Sequence, residues 1–279
     1  MLRRLLRCYV WAVQVLAAPI MLREYLNRRT GAQYNIGIIK KVDLIFRMRR
    51  NNKRIVSASN FMEHLIMATK ILNVPKSVEG CVIECGSYKG VSTANLSLVC
   101  ALCNRRLEVF DSFEGLPDPS GADKAHYYMN LNQVHTYSKG AFKGSLEEVR
   151  GNISRHGEIN VCRFNVGYFR DTLPKFKSDC VFVFCDVDLR DSLETCIKYI
   201  WPLLQNGCYF FTHEAPHFEI GSLFFDRGWW RENLRANPPG LIGAGNGLGL
   251  FPESGGFTSP LGYVIKNSET LDSDEIPQN

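Results

Sequence analysis

The chain has 279 residues, 45% hydrophobic, 22% charged and 11% aromatic, an ordinary globular composition that excludes collagen-like, low-complexity and wholly disordered classes. Its net charge of +5 averages two unlike parts: residues 1–54 hold thirteen Lys and Arg against Glu24 and Asp43, or +11, while the other 225 residues hold 20 against 26, or −6. An acidic main body repels phosphate, so a general nucleic-acid binder is excluded and the basic character belongs to an N-terminal extension.

In chain order, basic MLRRLLR precedes an apolar run, residues 8–22. A bilayer span needs about 20 apolar residues; this run is shorter and is interrupted by Gln14 and Pro19. It reads either as a helix lying in a membrane interface, with basic side chains toward anionic headgroups, or as a helix packed on the main body or another subunit. A secretory signal is the third reading, weakened by the lack of a clean A-x-A site. Ile38 to Arg50 reads as a second basic helix that Asn51-Asn52 ends. Residues 57–73 show helical apolar spacing behind Ser and Asn caps, and Pro75 stops them.

Strand and helix then alternate. Cys81–Cys85 is expected as a strand, Val91–Cys103 as a helix, and Leu107–Phe110 as a strand ending at Asp111. Residues 112–140, rich in Gly, Pro, Asp, Asn and Tyr, show no period and read as a lid. Ser145 to Glu148 has capping-box spacing for a helix to Arg155. Ile159–Phe164 and Val181–Cys185 read as strands, Asp191-Ser192 as the cap of a helix to Leu204, and Asn206-Gly207 as a turn into a strand, Cys208–Thr212. A glycine-rich stretch from Gly240 to Gly249 leads to a last strand at Leu261–Lys266, and the acidic tail, residues 268–279, reads as disordered. The pattern predicts a Rossmann-like, doubly wound, mostly parallel α/β sheet over residues 55–267, behind a helical extension over residues 1–54.

Ten cysteines do not imply a disulfide framework here. Cys81, Cys85, Cys180, Cys185 and Cys208 fall in apolar strands, where a free thiol behaves as a small hydrophobe. The CxxC of Cys100 and Cys103 has no partner pair and reads as one face of an apolar helix. A reducing, cytoplasmic compartment follows, with membrane association possible through residues 1–54.

In doubly wound sheets ligands bind outside the carboxyl ends of the strands. The first strand ends in Glu84-Cys-Gly-Ser-Tyr-Lys-Gly90, where Gly86 and Gly90 let backbone approach a ligand before a helix. The dinucleotide fingerprint needs three glycines, so a nicotinamide oxidoreductase is disfavoured. Asp111, 21 residues after Gly90, can accept ribose hydroxyls, although an Asp there also caps turns. Loop and acid together fit an adenosine without phosphates, such as S-adenosylmethionine.

The runs VIECGSYKGVSTANL, VFDSFEGLPDP, GSLEEVRGNI and FCDVDLRDSLETCIKYIWPLL resemble the macrocin-type O-methyltransferases, S-adenosylmethionine-dependent enzymes of antibiotic and sugar tailoring. The resemblance covers Val82 to Glu214. It implies that Glu84, Gly86, Ser87 and Ser92, with Gly90 beside them, line the methionine end. Asp111, Ser112 and Phe113 would hold the ribose, and Gly167 and Tyr168 would flank the adenine. The family pattern also implies a divalent metal, held by an Asp-x-Asp after the fourth strand and an Asp-Asp pair after the fifth. Asp186-Val-Asp188 keeps the first motif, but His213-Glu214 stands in the second position. A metal site of Asp186, His213 and Glu214 would favour Mg less and softer ions such as Zn, Mn or Fe more. The alternative is a metal-free enzyme with His213 as base.

In either case the expected catalytic residues are Asp186, Asp188 and His213; Asp188 could instead cap the following helix. His217 could join a metal site or start a helix. His126 and His135, with Tyr127, Tyr128 and Tyr137, could contact an acceptor or simply lie on a loop surface. The run Phe224 to Trp230 reads first as packing and second as an acceptor wall. The expected reaction is methyl transfer to a hydroxyl of a sugar or other small molecule, with no nucleic-acid partner and a homo-oligomer possible. A catalytically silent adenosyl-binding or assembly protein is the competing class.

Overall fold

The computed structural model describes residues 22–129, 132–243 and 260–267, together with Leu5, Tyr9 and Leu16. Most of the apolar run 8–22, residues 244–249 of the glycine-rich stretch and the tail from Ser268 lie outside the described residues.

A seven-stranded sheet forms the centre, in the order β5-β2-β1-β6-β7-β9-β8. Its two innermost strands, β1 (Cys81–Cys85) and β6 (Cys180–Cys185), are buried along their whole length. That is the pattern of parallel strands covered on both faces, and it explains why both are near-continuous apolar runs. β2 (Leu107–Asp111), β5 (Cys162–Val166) and β7 (Leu204–Thr212) extend the parallel set. β9 (Gly262–Ile265) pairs antiparallel with β7, and β8 (Ile242–Gly243) antiparallel with β9. The nine described free cysteines include Cys81, Cys85, Cys180, Cys185 and Cys208, all buried, and Cys100 and Cys103 are buried on a helix.

Several boundaries differ from expectation for local reasons. β7 begins at Leu204 and runs straight through Asn206-Gly207; Gly207, at φ +74°, absorbs an irregularity opposite β6 and donates its amide to the Lys266 carbonyl at 2.8 Å. Ile159–Val161 is a single 3-10 turn, so β5 starts later than its apolar run. The lid region is not structureless: β3 (Ala125–Tyr128) and β4 (Gln133–Thr136) pair as an antiparallel hairpin.

On the helical layer, α1 (Arg23–Leu26) and α2 (Ile38–Arg54) place Leu22, Tyr25, Leu44 and Met48 in one core with α3 (Phe61–Asn73) and α4 (Val91–Cys103). Asn51 does not end α2. Its side chain points inward and donates to Asn95 Oδ1 (2.8 Å) and to the His156 carbonyl (3.0 Å), so the helix continues to Arg54. α3 carries a full capping box: Asn60 Oδ1 accepts the Glu63 amide and Glu63 Oε2 accepts the Asn60 amide. α5 (Leu146–His156) has half of one, since Ser145 Oγ accepts the Glu148 amide while Glu148 pairs with Lys89 at 2.6 Å.

After the short α6 (Phe169–Thr172), α7 (Arg190–Ile200) starts without a local cap. The expected capping by Asp191-Ser192 is replaced from a distance: Asp123 Oδ1 accepts the Arg190 amide (2.7 Å) and Oδ2 the Asp191 amide (3.0 Å). A carboxylate on those unsatisfied N–H groups, at the positive end of the helix dipole, does the work of a cap.

Candidate active site

The carboxyl ends of β1, β2, β6 and β7 open on a cavity of about 460 Å³. Gly86, at φ +85°, is required on two counts: the backbone is left-handed, and a Cβ would collide with the Asp186 carbonyl oxygen. Glycine therefore lets the β1 loop lie against the β6 loop. Gly90, at φ +83°, is the residue before α4.

Asp111 closes the β2 side. Its Oδ2 accepts the Ser87 amide (2.7 Å) and hydroxyl (3.0 Å), and its Oδ1 accepts the Phe113 amide (2.7 Å). Asp111 thus caps its turn, as expected of an Asp there, and lines the cavity while organising both loops. Glu84 stands behind the loop, fully buried, and both its oxygens lack a hydrogen-bond partner. Burial raises its pKa to about 8; the nearby Ser92 and Thr93 hydroxyls pull it back only in part.

The catalytic end is built from the tips of β6 and β7. Glu214 is saturated: Oε1 accepts the Val187 (2.8 Å) and Asp188 (3.1 Å) amides, and Oε2 the Thr212 hydroxyl (2.7 Å). Those bonds hold the Asp186-Val-Asp188 turn, in which Asp188 sits at φ +61°. His213 lies between two acids, Nε2 at 3.3 Å from Glu63 Oε2 and Nδ1 at 3.7 Å from Asp186 Oδ1. Burial disfavours its charge, but Asp186, Glu63 and Glu214 outweigh burial and raise its pKa to about 10. Burial, then the charges of Asp186 and Glu214, push the Asp188 carboxyl well above the usual carboxylate range. Burial and Asp186 raise Glu214 to about 7.

Of the residues expected at the site, Gly86, Asp111, Ser112, Tyr168, Asp186, Asp188 and His213 share the cavity wall. Glu84, Ser87, Gly90, Ser92, Phe113, Gly167 and Glu214 are not among the residues that line it. The set Asp186, His213 and Glu214 does not converge as a ligand sphere here: Glu214 has both oxygens engaged by the Val187 and Asp188 amides and the Thr212 hydroxyl, and the ring nitrogens of His213 face Glu63 and Asp186. Among the described residues, the ligating atoms that gather within 4.8 Å of one another are the buried thiols of Cys85, Cys185 and Cys196.

The lid aromatics also gather, and none of them lines the cavity. Burial, then the charges of Glu214, Asp186 and Asp188, raise the pKa of the Tyr128 and Tyr137 phenols, which places the cluster beside the catalytic end. His126, Tyr128, His135 and Tyr137 pack around His217, whose Nδ1 is 3.2 Å from the Tyr137 hydroxyl. Phe224 and Trp230 are buried in the core, which favours packing for that aromatic run. Two residues of the site escaped the sequence reading. Glu63 had a usable signal, three residues after a capping Asn; Asp123 had none.

A doubly wound sheet with a glycine loop after its first strand and an acid ending its second, both on one cavity, defines an α/β methyltransferase of the adenosyl-binding class. The macrocin-O-methyltransferase (TylF) family profile matches residues 56–216, more than half of the chain, and the chain belongs to that family. It is an S-adenosylmethionine-dependent O-methyltransferase. The solved structure of the O-methyltransferase NovP is similar at 19% identity and a TM-score of 0.52, covering 94% of this chain and 99% of that one. The calicheamicin methyltransferase CalS11 is similar at 16% identity and a TM-score of 0.49, over 81% and 92%. At 19% identity the likeness to NovP concerns the fold. No curated protein matches the sequence significantly. Among the described residues, no helix is long and apolar enough to cross a membrane.

Proposed function

We propose that the chain transfers the methyl group of S-adenosylmethionine to a hydroxyl of a sugar or glycosylated small metabolite in this cavity, with Asp188 as the proton acceptor. The observation that carries this reading is that Asp186, Asp188 and His213 share one wall-lined space with Gly86, Asp111 and Tyr168.

A sulfonium methyl is already activated, so the protein has only to align an acceptor oxygen opposite it and remove a proton. Asp111 uses three of roughly four acceptor positions on Ser87 and Phe113; rotation of the Ser87 hydroxyl frees a second for ribose. Tyr168 offers a ring for the adenine. Glu63 and Asp186, at 3.3 and 3.7 Å, favour the charged form of His213, which leaves it poorly suited to accept a proton. Asp188 is the proton acceptor, because an acid raised above its ordinary range is a stronger base once ionised.

Charge narrows the acceptor. Six aspartates line the cavity (Asp111, Asp118, Asp123, Asp186, Asp188 and Asp191) against Arg170 and His213. Such walls suit the sulfonium and a neutral or aminated acceptor, and they disfavour phosphorylated or carboxylated ones. The test is Asp188→Asn, assayed by transfer of labelled methyl into a panel of neutral, aminated and phosphorylated glycosides. Turnover should fall by roughly 10²- to 10⁴-fold, the span of general-base contributions, with S-adenosylhomocysteine affinity kept within a few-fold. Undiminished turnover removes Asp188 from the role, and a preference for phosphorylated acceptors refutes the charge argument.

A further inference from the structure

α2 has two apolar faces. Leu44 and Met48 form the one buried against α3 and α4. The other faces solvent: Ile39 is 83% exposed, Phe46 63% and Val42 39%. Positions 39, 42 and 46 fall on a single stripe of a 3.6-residue helix, so these three large side chains form one patch. Solvated helix faces ordinarily carry polar groups, and a line of exposed large hydrophobics marks a contact surface.

Cations frame that stripe. Arg50 and Lys53 continue it toward the C-terminal end of α2, and Lys40 and Arg54 flank it, all four exposed. Asp43 is the one acid in the helix. Arg47 is already committed to Glu158, at 3.2 Å.

We propose that this face of α2 docks on an anionic lipid bilayer. Ile39, Val42 and Phe46 enter the headgroup boundary, and Lys40, Arg50, Lys53 and Arg54 meet the lipid phosphates. Charge complementarity selects this occupant. A second copy docked face to face would bring both sets of cations together, whereas an anionic surface neutralises them. The contact is peripheral, with apolar side chains sunk about 5–10 Å into the interface. It would place the acidic catalytic body at a membrane surface, independently of how the acceptor is chosen.

The experiment is cosedimentation of the full chain with vesicles of neutral phosphatidylcholine, or of the same lipid with about one-third phosphatidylglycerol, at low and high salt. Binding is expected with the anionic vesicles alone and should weaken with salt. Ile39→Ser/Phe46→Ser and Arg50→Glu/Lys53→Glu should each lower it by roughly tenfold or more. These exposed positions should leave the thermal midpoint and S-adenosylhomocysteine binding unchanged, which separates lost docking from lost folding or a lost cofactor site. Three results would overturn the proposal: no binding to anionic vesicles, binding unaltered in both variants, or sedimentation velocity showing a self-associated chain that the same variants dissociate.

Discussion

Glu214 holds Asp188 in place: its Oε1 accepts the Asp188 amide at 3.1 Å and the Val187 amide at 2.8 Å, while Oε2 takes the Thr212 hydroxyl. Asp188 sits at φ +61°, a conformation that persists only where neighbours enforce it. Glu214→Ala should release the turn, at a cost of about 1.5–3 kcal/mol for charge-assisted bonds in a buried site. That corresponds to a drop of roughly 3–12 °C in Tm for a domain this size. Glu214→Gln keeps an oxygen for both amides and should retain most of that stability. Calorimetry of the two variants decides, and equal losses would deny Glu214 its anchoring role.

Much of the sheet was legible in the residues. β1 and β6 announce themselves as short apolar runs bounded by polar loops, and Gly86 and Asp111 fall where strand ends must meet. What was not legible is long-range. Asp123 caps a helix 67 residues away, and Glu63 meets His213 across 150. No local period records either contact. Asn often ends helices, but the Asn51 Nδ2 donates to Asn95 on α4 and to the His156 carbonyl at the end of α5, so the helix runs on even though Asn51 Oδ1 is buried without a partner.

The Asp123 contact ties the hairpin to α7. Burial would raise the Asp123 pKa, but the bond with His126 and the amides of Asp191 and Arg190 outweigh burial and lower it. Asp123→Ala should uncap α7, at a cost of about 1–2 kcal/mol, and loosen β3–β4 with it. Limited proteolysis should then cut between residues 120 and 140, and KM for the acceptor should rise more than kcat falls. A hairpin that stays protease-resistant would show that Tyr128 and His217 hold it without Asp123.

Divalent metal is the next question, because His213 and Glu214 are both engaged within the protein. With Glu214 on the Val187 and Asp188 amides and His213 between Glu63 and Asp186, methyl transfer should survive exhaustive chelation within about threefold, since no converging donor set is broken. Adding Mg or Mn should change the rate no more than that. A strict metal requirement would mean that Glu214 leaves the amides on loading, and Glu214→Gln would then abolish activity instead of sparing it.

Glu84 links stability to pH. Its carboxyl has an ordinary value of 4.5 and a folded value of about 8, set first by burial. Between those values the folded chain holds a proton that the unfolded chain has released. The stabilisation this provides is complete below about pH 4.5 and is lost as pH rises toward 8, where a buried charge must be carried. Glu84→Gln stays neutral throughout and should remove that slope. Relative to the parent, the variant should match near pH 4 and gain roughly 2–4 °C or more in Tm at pH 8.5, taking one kcal/mol as the least expected effect. Two melting curves that run parallel from pH 4 to 8.5 would mean that Glu84 finds a partner for its charge, and the carboxylate would then belong to the cofactor site after all.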